Sequence, residues 1–207
     1  MRWREEVARH PPRRYTGQTY WAKPVPGFGD PTGRIAIVGL APAAHGGNRT
    51  GRTFTGDRSG DVLFAALHAV GLANQPVSKG PGDGLKLHGA LITAACRCAP
   101  PGNKPLPSEL DNCHEYLQRE IALLDRPRVF VALGALAFGA LLRALAREGV
   151  ELPRPRPRFA HGGRYRAGED RIFTTYHPSQ QNTFTGKLTP AMLRAVLRAA
   201  VNEAKKL

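Results

Sequence analysis

Four short apolar runs alternate along the chain with segments of helical periodicity. The runs are rich in β-branched residues and too short for helices, which is typical of strands buried on both faces of a sheet. They cover residues 34–40, 89–95, 128–133 and 171–176. Helices are predicted at residues 61–70, from 107 onward, at 134–147 and at 190–206. This alternation predicts an α/β protein, a three-layer α/β/α domain around a central four-stranded parallel sheet.

The segment before the first strand differs from the rest. Residues 1–33 begin with helical charge pairs and continue as Pro- and Gly-rich coil, which predicts a short helix and an extended arm. The whole chain, residues 1–207, is expected to form one domain. No apolar run approaches the ~18 residues that span a bilayer. The charged N-terminus has no signal-peptide core, so we expect a cytoplasmic protein.

The charge balance is strongly basic. Lys and Arg number 30 against 16 Asp and Glu, a net charge of +14. Such an excess favours a polyanionic partner, because cations on the protein neutralise phosphates and release counterions. A basic surface without a partner and an arginine-rich composition from a GC-rich genome are the alternatives. The Arg-Pro run at residues 154–158 is expected to be exposed, as a phosphate contact or as a solvated connection.

Three cysteines lie close together in the sequence: Cys96, Cys98 and Cys113. An odd number in a chain expected to be intracellular makes disulfides an unfavoured interpretation. Judged on spacing alone, buried structural cysteines are favoured over metal ligands, since no four-cysteine set is present.

Three loops leave the same edge of the predicted sheet, after the first, second and fourth strands. They begin near residues 39, 96 and 177 and should converge on one cleft. The third opens with His177, which alone would fit an incidental solvated turn. The first is glycine-rich but contains no Gly-x-x-x-x-Gly-Lys-Ser/Thr motif, and neither does any other loop. Nucleotide hydrolysis of the P-loop type is therefore disfavoured.

The motifs in these loops match a known family. In chain order they are WREEVA (3–8), YWAKPVPGFGD (20–30), GLAPAAHG (39–46), NRTGR (48–52), FTGD (54–57), CAPPGNKP (98–105), and HPS with NT and TGKLT (177–189). Together they resemble type-5 uracil-DNA glycosylases, from residue 3 to the C-terminal helix. The resemblance implies the glycosylase α/β/α fold and hydrolysis of the N-glycosidic bond of uracil in DNA, which initiates base-excision repair. Hypoxanthine and xanthine are further expected substrates, and a monomer is expected.

The residue types suit that chemistry. A base must leave the duplex and be held by stacking and edge hydrogen bonds. Phe54 offers a stacking face, with the backbone at Gly39 and Ala41 close to the substrate. Asn103 can read a pyrimidine edge, or can be a turn residue between prolines. His177 can donate a hydrogen bond to the departing base anion.

Asp57 has two candidate roles. It can stabilise the cationic sugar or orient a water, or it can cap the following helix. Relatives in the wider superfamily position water with a polar Asp or Asn in the first loop, where this chain has the apolar segment 41–44. The first loop has no lysine for a Schiff base, so we expect a monofunctional enzyme.

The polar and basic residues of the first and third loops are candidates for DNA contact. They would bind phosphates or fill the gap that the extruded base leaves. The candidates are Arg49, Arg52, Gln181, Asn182 and Lys187.

The resemblance also implies a structural [4Fe–4S] cluster with four cysteine ligands. Two of them match Cys98 and Cys113, whereas Cys96 is not required by the motif. The other two precede the WREEVA segment in the family, and this chain starts inside that pattern. We hypothesise that the protein begins further upstream and that Met1 is a GTG codon read as a start. If the chain is complete, we expect no cluster and a less stable N-terminal arm.

Two other functions compete with the glycosylase. One is a catalytically inactive DNA-binding relative, against which the presence of Asp57, Asn103 and His177 argues. The other is a different basic α/β hydrolase acting on nucleotides, which the absence of a phosphate-binding loop disfavours.

Overall fold

The sheet has six strands, two more than predicted, in a computed structural model that describes residues 2–126 and 128–207. The strands are β1 (Phe28–Gly29), β2 (Ile35–Gly39), β3 (Ala90–Ala94), β4 (Val129–Leu133), β5 (Arg164–Ala167) and β6 (Asp170–Thr175). Their order is β1-β3-β2-β4-β6-β5. The inner four pair in parallel, and β1 and β5 pair antiparallel at the two edges. The four predicted parallel strands are confirmed.

Helices cover both faces of this sheet. They are α1 (Arg2–Arg9), α2 (Gly47–Thr50), α3 (Arg58–Ala69), α4 (Pro107–Ala122), α5 (Ala135–Arg147), α6 (Gln180–Phe184) and α7 (Pro190–Ala204). Helices α3 and α7 pack on one face, and α4 and α5 pack on the other. Alternate residues of each inner strand supply the two cores: Ile37 faces α3 and α7, whereas Val38 faces α4 and α5. The three-layer α/β/α architecture is thus observed.

The elements that the hydrophobic pattern missed are short or polar. Strand β1 has two residues inside the Gly-rich arm, and β5 carries exposed arginines on one face. Helices α2 and α6 have four and five residues, too few for a periodicity to show. At the start of α4, Leu106 occupies the cap position, because Pro107 supplies the first helical residue and Glu109 accepts a hydrogen bond from the Leu106 amide at 2.9 Å.

Backbone and side-chain hydrogen bonds hold the extended arm to the body. The amide of Val25 donates to the carbonyl of Arg97 at 2.7 Å, and the amide of Gly27 donates to Glu120 at 2.9 Å. Arg97 and Glu120 form an ion pair of 2.5 Å, and both side chains are largely buried. The arm is therefore fixed to the loop after β3 and to α4 before it reaches the first strand.

A buried ion network closes the amino-terminal edge of the sheet. The Arg128 side chain is fully buried and donates to Asp170 at 2.7 Å and to Glu148 at 2.9 Å. The Arg128 amide also donates to Asp170 at 2.7 Å. These contacts join the start of β4 to the start of β6, at the edge opposite the predicted cleft.

The surface of the protein carries an exposed basic run. The arginines of the 154–158 run are exposed, as predicted. Among the described residues, no helix has both the length and the apolar character needed to cross a membrane.

Removing the carboxylate from the buried network should destabilise the protein strongly. Asp170→Ala leaves the Arg128 guanidinium buried with one partner fewer, and we expect a loss of about 3 kcal/mol in the free energy of unfolding. Glu115→Gln, in the exposed pair with Arg119, is the control and should cost less than about 1 kcal/mol. Urea denaturation measures both. Equal losses would show that the network does not stabilise this edge.

Candidate active site

A cavity of about 830 Å³ lies at the carboxyl-terminal edge of the parallel strands. Ala41 from the loop after β2, Asn103 from the loop after β3, and His177 from the loop after β6 all line it. The three loops therefore converge on one cleft, as their positions after parallel strands predicted. Residues at the amino-terminal end of helix α3 also line the cavity, as do residues of the N-terminal arm.

Phe54 is the aromatic wall of this cavity. Its ring lies against Gly39, where an added Cβ would approach the ring to 2.7 Å, and its centroid is 5.7 Å from that of His177. Its backbone has a φ of +55°, a conformation that side chains rarely adopt. Gly39 is absent from the cavity lining. It was expected to approach substrate, but in the structure it makes room for Phe54.

His177 is held neutral by its surroundings. Burial lowers its pKa below the ordinary value of 6.5, and the negative charge of Asp57 opposes that shift. Asn182 donates from its side-chain amide to the carbonyl of His177 at 2.8 Å and so fixes the loop. A neutral imidazole still carries one N–H, which suffices to donate one hydrogen bond.

Asp57 caps helix α3, as the structural alternative predicted. Its Oδ1 accepts a hydrogen bond from the amide of Gly60 at 3.0 Å. Its Oδ2 lies beside Gly46, where an added Cβ would approach it to 2.2 Å. The residue also lines the cavity, so the capping role leaves one oxygen available to a ligand.

Asn103 lies in a tight turn with a φ of +57°, and its amide N–H donates to the carbonyl of Pro100 at 3.2 Å. Within the described chain, its side-chain amide has no hydrogen-bond partner, and the residue is exposed at the cavity. It is a turn residue, as one interpretation held, and its side chain is also free for a ligand.

Three cavity residues were missed as candidates by the sequence reasoning: Arg14, Tyr15 and His45. Tyr15 stacks on His45 with centroids 5.6 Å apart, and the hydroxyl of Tyr20 pairs with His45 Nδ1 at 2.9 Å. Burial, with Arg14 and Arg49 nearby, lowers the pKa of His45. The sequence does contain a signal for this part of the site, the Arg-Arg-Tyr segment at residues 13–15. Basic and aromatic residues are often found together at nucleic-acid binding sites.

The two arginines of the first loop are used inside the protein. Arg52 was expected to contact phosphate, which is wrong: its side chain is buried and paired with Asp83 at 2.9 Å. Against the effect of burial, backbone hydrogen bonds from Leu85 and Lys79, followed by the contact with Arg52, lower the pKa of Asp83 to about 2. Arg49 is also turned inward. Its guanidinium donates to Gln18, to the carbonyl of His45 and to the carbonyl of Gly56.

In the third loop, two of the residues predicted to contact DNA are exposed to solvent. Gln181 is exposed at the cavity, and Lys187 is exposed with its ammonium 4.7 Å from the Tyr176 ring centroid. Phe184 was not predicted, yet it is 69% exposed, more than any other large hydrophobic residue described. The guanidinium of Arg58, which lines the cavity, lies 5.4 Å from the Phe184 ring centroid.

The three cysteines are buried and free. Cys98 Sγ accepts a hydrogen bond from Arg4 at 3.0 Å, and Cys113 Sγ accepts one from the Arg97 amide at 3.4 Å. A hydrogen bond from Cys96 lowers the pKa of Cys113 to about 6. The described residues contain no group of three or more His, Cys, Asp or Glu side chains placed to hold one metal ion.

Comparisons with known proteins agree with this geometry. The family model of the Uracil DNA glycosylase superfamily matches residues 26–201. The Type-5 uracil-DNA glycosylase of Mycobacterium tuberculosis is 52% identical over 99% of this chain and 74% of its own length. That of Thermus thermophilus is 50% identical over 96% and 88%, and that of Pyrobaculum aerophilum is 46% identical over 94% and 82%. The chain belongs to the type-5 family of uracil-DNA glycosylases, which confirms the resemblance seen in its motifs.

The charge of Asp57 should be measurable at His177. A titration followed by NMR should give His177 a pKa below 6.5, and Asp57→Asn should lower it further, because a nearby negative charge favours the imidazolium. Asp61→Asn, also at the cavity, is the control and should leave it unchanged. The folded pKa lies below the unfolded one, so His177 destabilises the fold as the pH falls through 6.5. A pKa unaffected by Asp57→Asn would contradict the contact.

Proposed function

We propose that this chain hydrolyses the N-glycosidic bond of uracil in DNA and thereby initiates base-excision repair. The observation that carries the proposal is the meeting of Phe54, Asp57, Asn103 and His177 at one cavity. The cavity volume of about 830 Å³ is ample for an extruded nucleotide, because ligand pockets commonly span roughly 300–1,000 Å³. The sequence identity to type-5 enzymes supports the same reaction.

The protein recognises the base by stacking on its flat face and by hydrogen bonding to its edge. The base is extruded from the duplex because its glycosidic bond is inaccessible inside the stack. The Phe54 ring supplies the stacking face, and its rigid position against Gly39 and His177 removes the need to order it on binding. The free amide of Asn103 both donates and accepts, so it can pair with the edge of a pyrimidine.

Cleavage of the glycosidic bond produces a negatively charged base and a positively charged sugar, and two side chains stabilise these charges. As the bond between C1′ and the base nitrogen breaks, the electron pair leaves with the base and the sugar becomes cationic. His177 donates its N–H to the base anion. Burial strengthens that hydrogen bond, and a preformed donor of this type contributes roughly 3 kcal/mol.

Asp57 acts on the sugar, the positively charged fragment of the reaction. Its free oxygen stabilises the cationic sugar and orients the water whose oxygen bonds to C1′, and the water proton is finally carried to the departed base. The helix cap keeps the carboxylate in place for this role. No lysine lines the cavity in the described part of the chain, which supports a monofunctional enzyme without a Schiff-base step.

Groups at the mouth of the cavity would hold the DNA. The exposed ring of Phe184 can stack on a base next to the gap, and Arg58 beside it can bind a phosphate. Gln181 and Lys187 face outward on the same loop and keep their proposed role in DNA contact. Asn182 acts mainly through the His177 loop. We propose that the enzyme works as a monomer in the cytoplasm and also removes hypoxanthine or xanthine.

For the iron–sulfur cluster that the family resemblance implies, the described residues supply only half of a four-thiolate site. We propose that Cys98 and Cys113 are the two ligands it contributes, supported by their burial and by the positive charges of Arg4 and Arg97 nearby. A [4Fe–4S] cluster needs four thiolates, so these two alone do not complete the site. No catalytic step depends on the cluster.

The cluster proposal makes a compositional prediction. A protein in which all four thiolates are present, purified without oxygen, should contain about four irons per chain, the number that a four-cysteine site holds. Cys113→Ala should lose the iron, whereas Cys96→Ala should keep it. Iron retained in Cys113→Ala would contradict the ligand assignment.

The reaction itself is tested with a uracil-containing duplex under single-turnover conditions. The product should be an abasic site that alkali cleaves. His177→Ala should lower the single-turnover rate by roughly 10²–10³, because one preformed donor to the leaving base is lost. Phe184→Ala, at the rim, should raise the DNA concentration for half-saturation and leave the saturated rate within about twofold.

Two outcomes would contradict the proposal. Binding of uracil-containing DNA by the parent protein without cleavage would point to a catalytically inactive relative. Cleavage by His177→Ala at the parent rate would remove His177 from the reaction.

A further inference from the structure

A second concave surface lies at the far edge of the sheet, between β5 and α7. It has a volume of about 500 Å³ and is separate from the cavity described above. Arg164 and Arg166 form one wall, because alternate residues of β5 point to the face that α7 covers only in part. Lys206, just after α7, forms part of the other wall, and Arg171 of β6 lies on the floor. We call this surface the β5–α7 groove.

The groove carries a large excess of positive charge. Four cations line it, and Glu203 is the one carboxylate among the described residues there. Glu203 is already engaged with Arg171 at 3.2 Å and with Lys206 at 4.0 Å. Arg164 and Arg166 are exposed and make no ion pair with any described residue. Two guanidinium groups are thus free for an anion from outside.

These arginines are not needed to fold the strand. Arg164 lies over the Phe173 ring with its guanidinium 5.8 Å from the centroid, and this contact leaves its N–H groups in solvent. The opposite face of β5 provides the packing, since Tyr165 stacks on Phe138 with centroids 5.3 Å apart. The guanidinium groups of Arg164 and Arg166 therefore remain at the surface of the strand.

A few basic and aromatic side chains lie between the third loop and the start of β5. Lys187 lies over Tyr176, and the Tyr176 ring stacks on His161 with centroids 5.1 Å apart. His161 precedes β5 by three residues.

We propose that the β5–α7 groove binds the sugar–phosphate backbone of the same DNA molecule, in the duplex that flanks the lesion. This proposal rests on the proposed function and extends it. Guanidinium groups bind phosphate oxygens through paired N–H donors, which fits the two free arginines. The partner is identified by charge complementarity with the exposed guanidinium groups of Arg164 and Arg166.

The proposal also accounts for charge that the active site does not use. Arg52 is buried with Asp83, and Arg49 donates to groups of the protein itself. These two arginines are therefore unavailable to DNA, and Arg58 and Lys187 at the mouth of the cavity are a small part of the 30 Lys and Arg behind the net charge of +14. Part of the affinity for DNA then comes from outside the cleft, and the groove supplies it.

The test compares, as a function of salt, the binding of two duplexes that carry 2′-fluoro-2′-deoxyuridine at the centre, which resists cleavage and places the centre at the cavity. The long duplex has about 20 base pairs on each side of its centre, and the short one about 5, too few to reach from the cavity along α7 at about 3.4 Å per base pair. For the long duplex, Arg164→Gln with Arg166→Gln should reduce the slope of log K against log salt by about 2 and weaken binding roughly tenfold. For the short duplex, the same double variant should bind as the parent does.

The matched control is Arg143→Gln with Arg147→Gln, which removes the same charge from the exposed surface of α5 on the other face of the sheet. It should leave both slopes unchanged. Lys206→Gln, tested alone, should lower the slope for the long duplex by about 1. Circular dichroism and thermal unfolding check that each variant is folded.

Three results would overturn the proposal. They are an unchanged slope in the groove variant, an equal change in the α5 control, and an equal change for both duplexes. The first would leave the groove open to an acidic protein partner instead. The proposed function is decided separately, by excision of uracil by the parent protein.

Discussion

The packing of the Phe54 ring against Gly39 and His177 is the contact on which the site depends. It joins the end of β2 to the loop after β6, two strands that are separated in the sheet by β4. The contact requires a glycine at position 39 and a left-handed backbone at Phe54. It also buries His177, which keeps the imidazole neutral. One aromatic side chain therefore provides the stacking surface and packs against the neighbouring donor, whose pKa is lowered by burial.

The arginines fall into two groups, those that are buried in ion pairs and those that are exposed. Arg52, Arg97 and Arg128 are buried with carboxylate partners and hold loops, arm and strands together. Others, such as Arg58 and Arg164, are exposed beside aromatic rings and near concave surfaces. The net charge of the sequence does not reveal which arginines are buried in ion pairs and which are exposed. The difference depends on which carboxylates the fold brings close to each arginine. The basic composition indicated a polyanionic partner, and the structure shows which cations are free to meet it.

The sequence predicted the four inner strands, the layers and the convergence of three loops, because hydrophobic periodicity and the parallel arrangement determine them. It also identified Asp57, Asn103 and His177, which the motifs carry and which the cavity brings together. The wrong prediction for Arg52 arose because its partner, Asp83, is 31 residues away in a segment without regular structure. Tyr15, His45 and Phe184 were missed as site residues, since their positions depend on how the arm and a five-residue helix pack. Such tertiary contacts leave no periodic signal.

The account assigns the cavity at the strand ends to an extruded uracil that is cut from its sugar. The most direct test is a crystal structure of the protein with duplex DNA containing 2′-fluoro-2′-deoxyuridine, which resists cleavage. We expect the uracil ring to lie on Phe54, with its edge within hydrogen-bond distance of Asn103 and His177 and its C1′ near Asp57. A base that remains stacked in the duplex, or that occupies another surface with this cavity unfilled, would contradict the account.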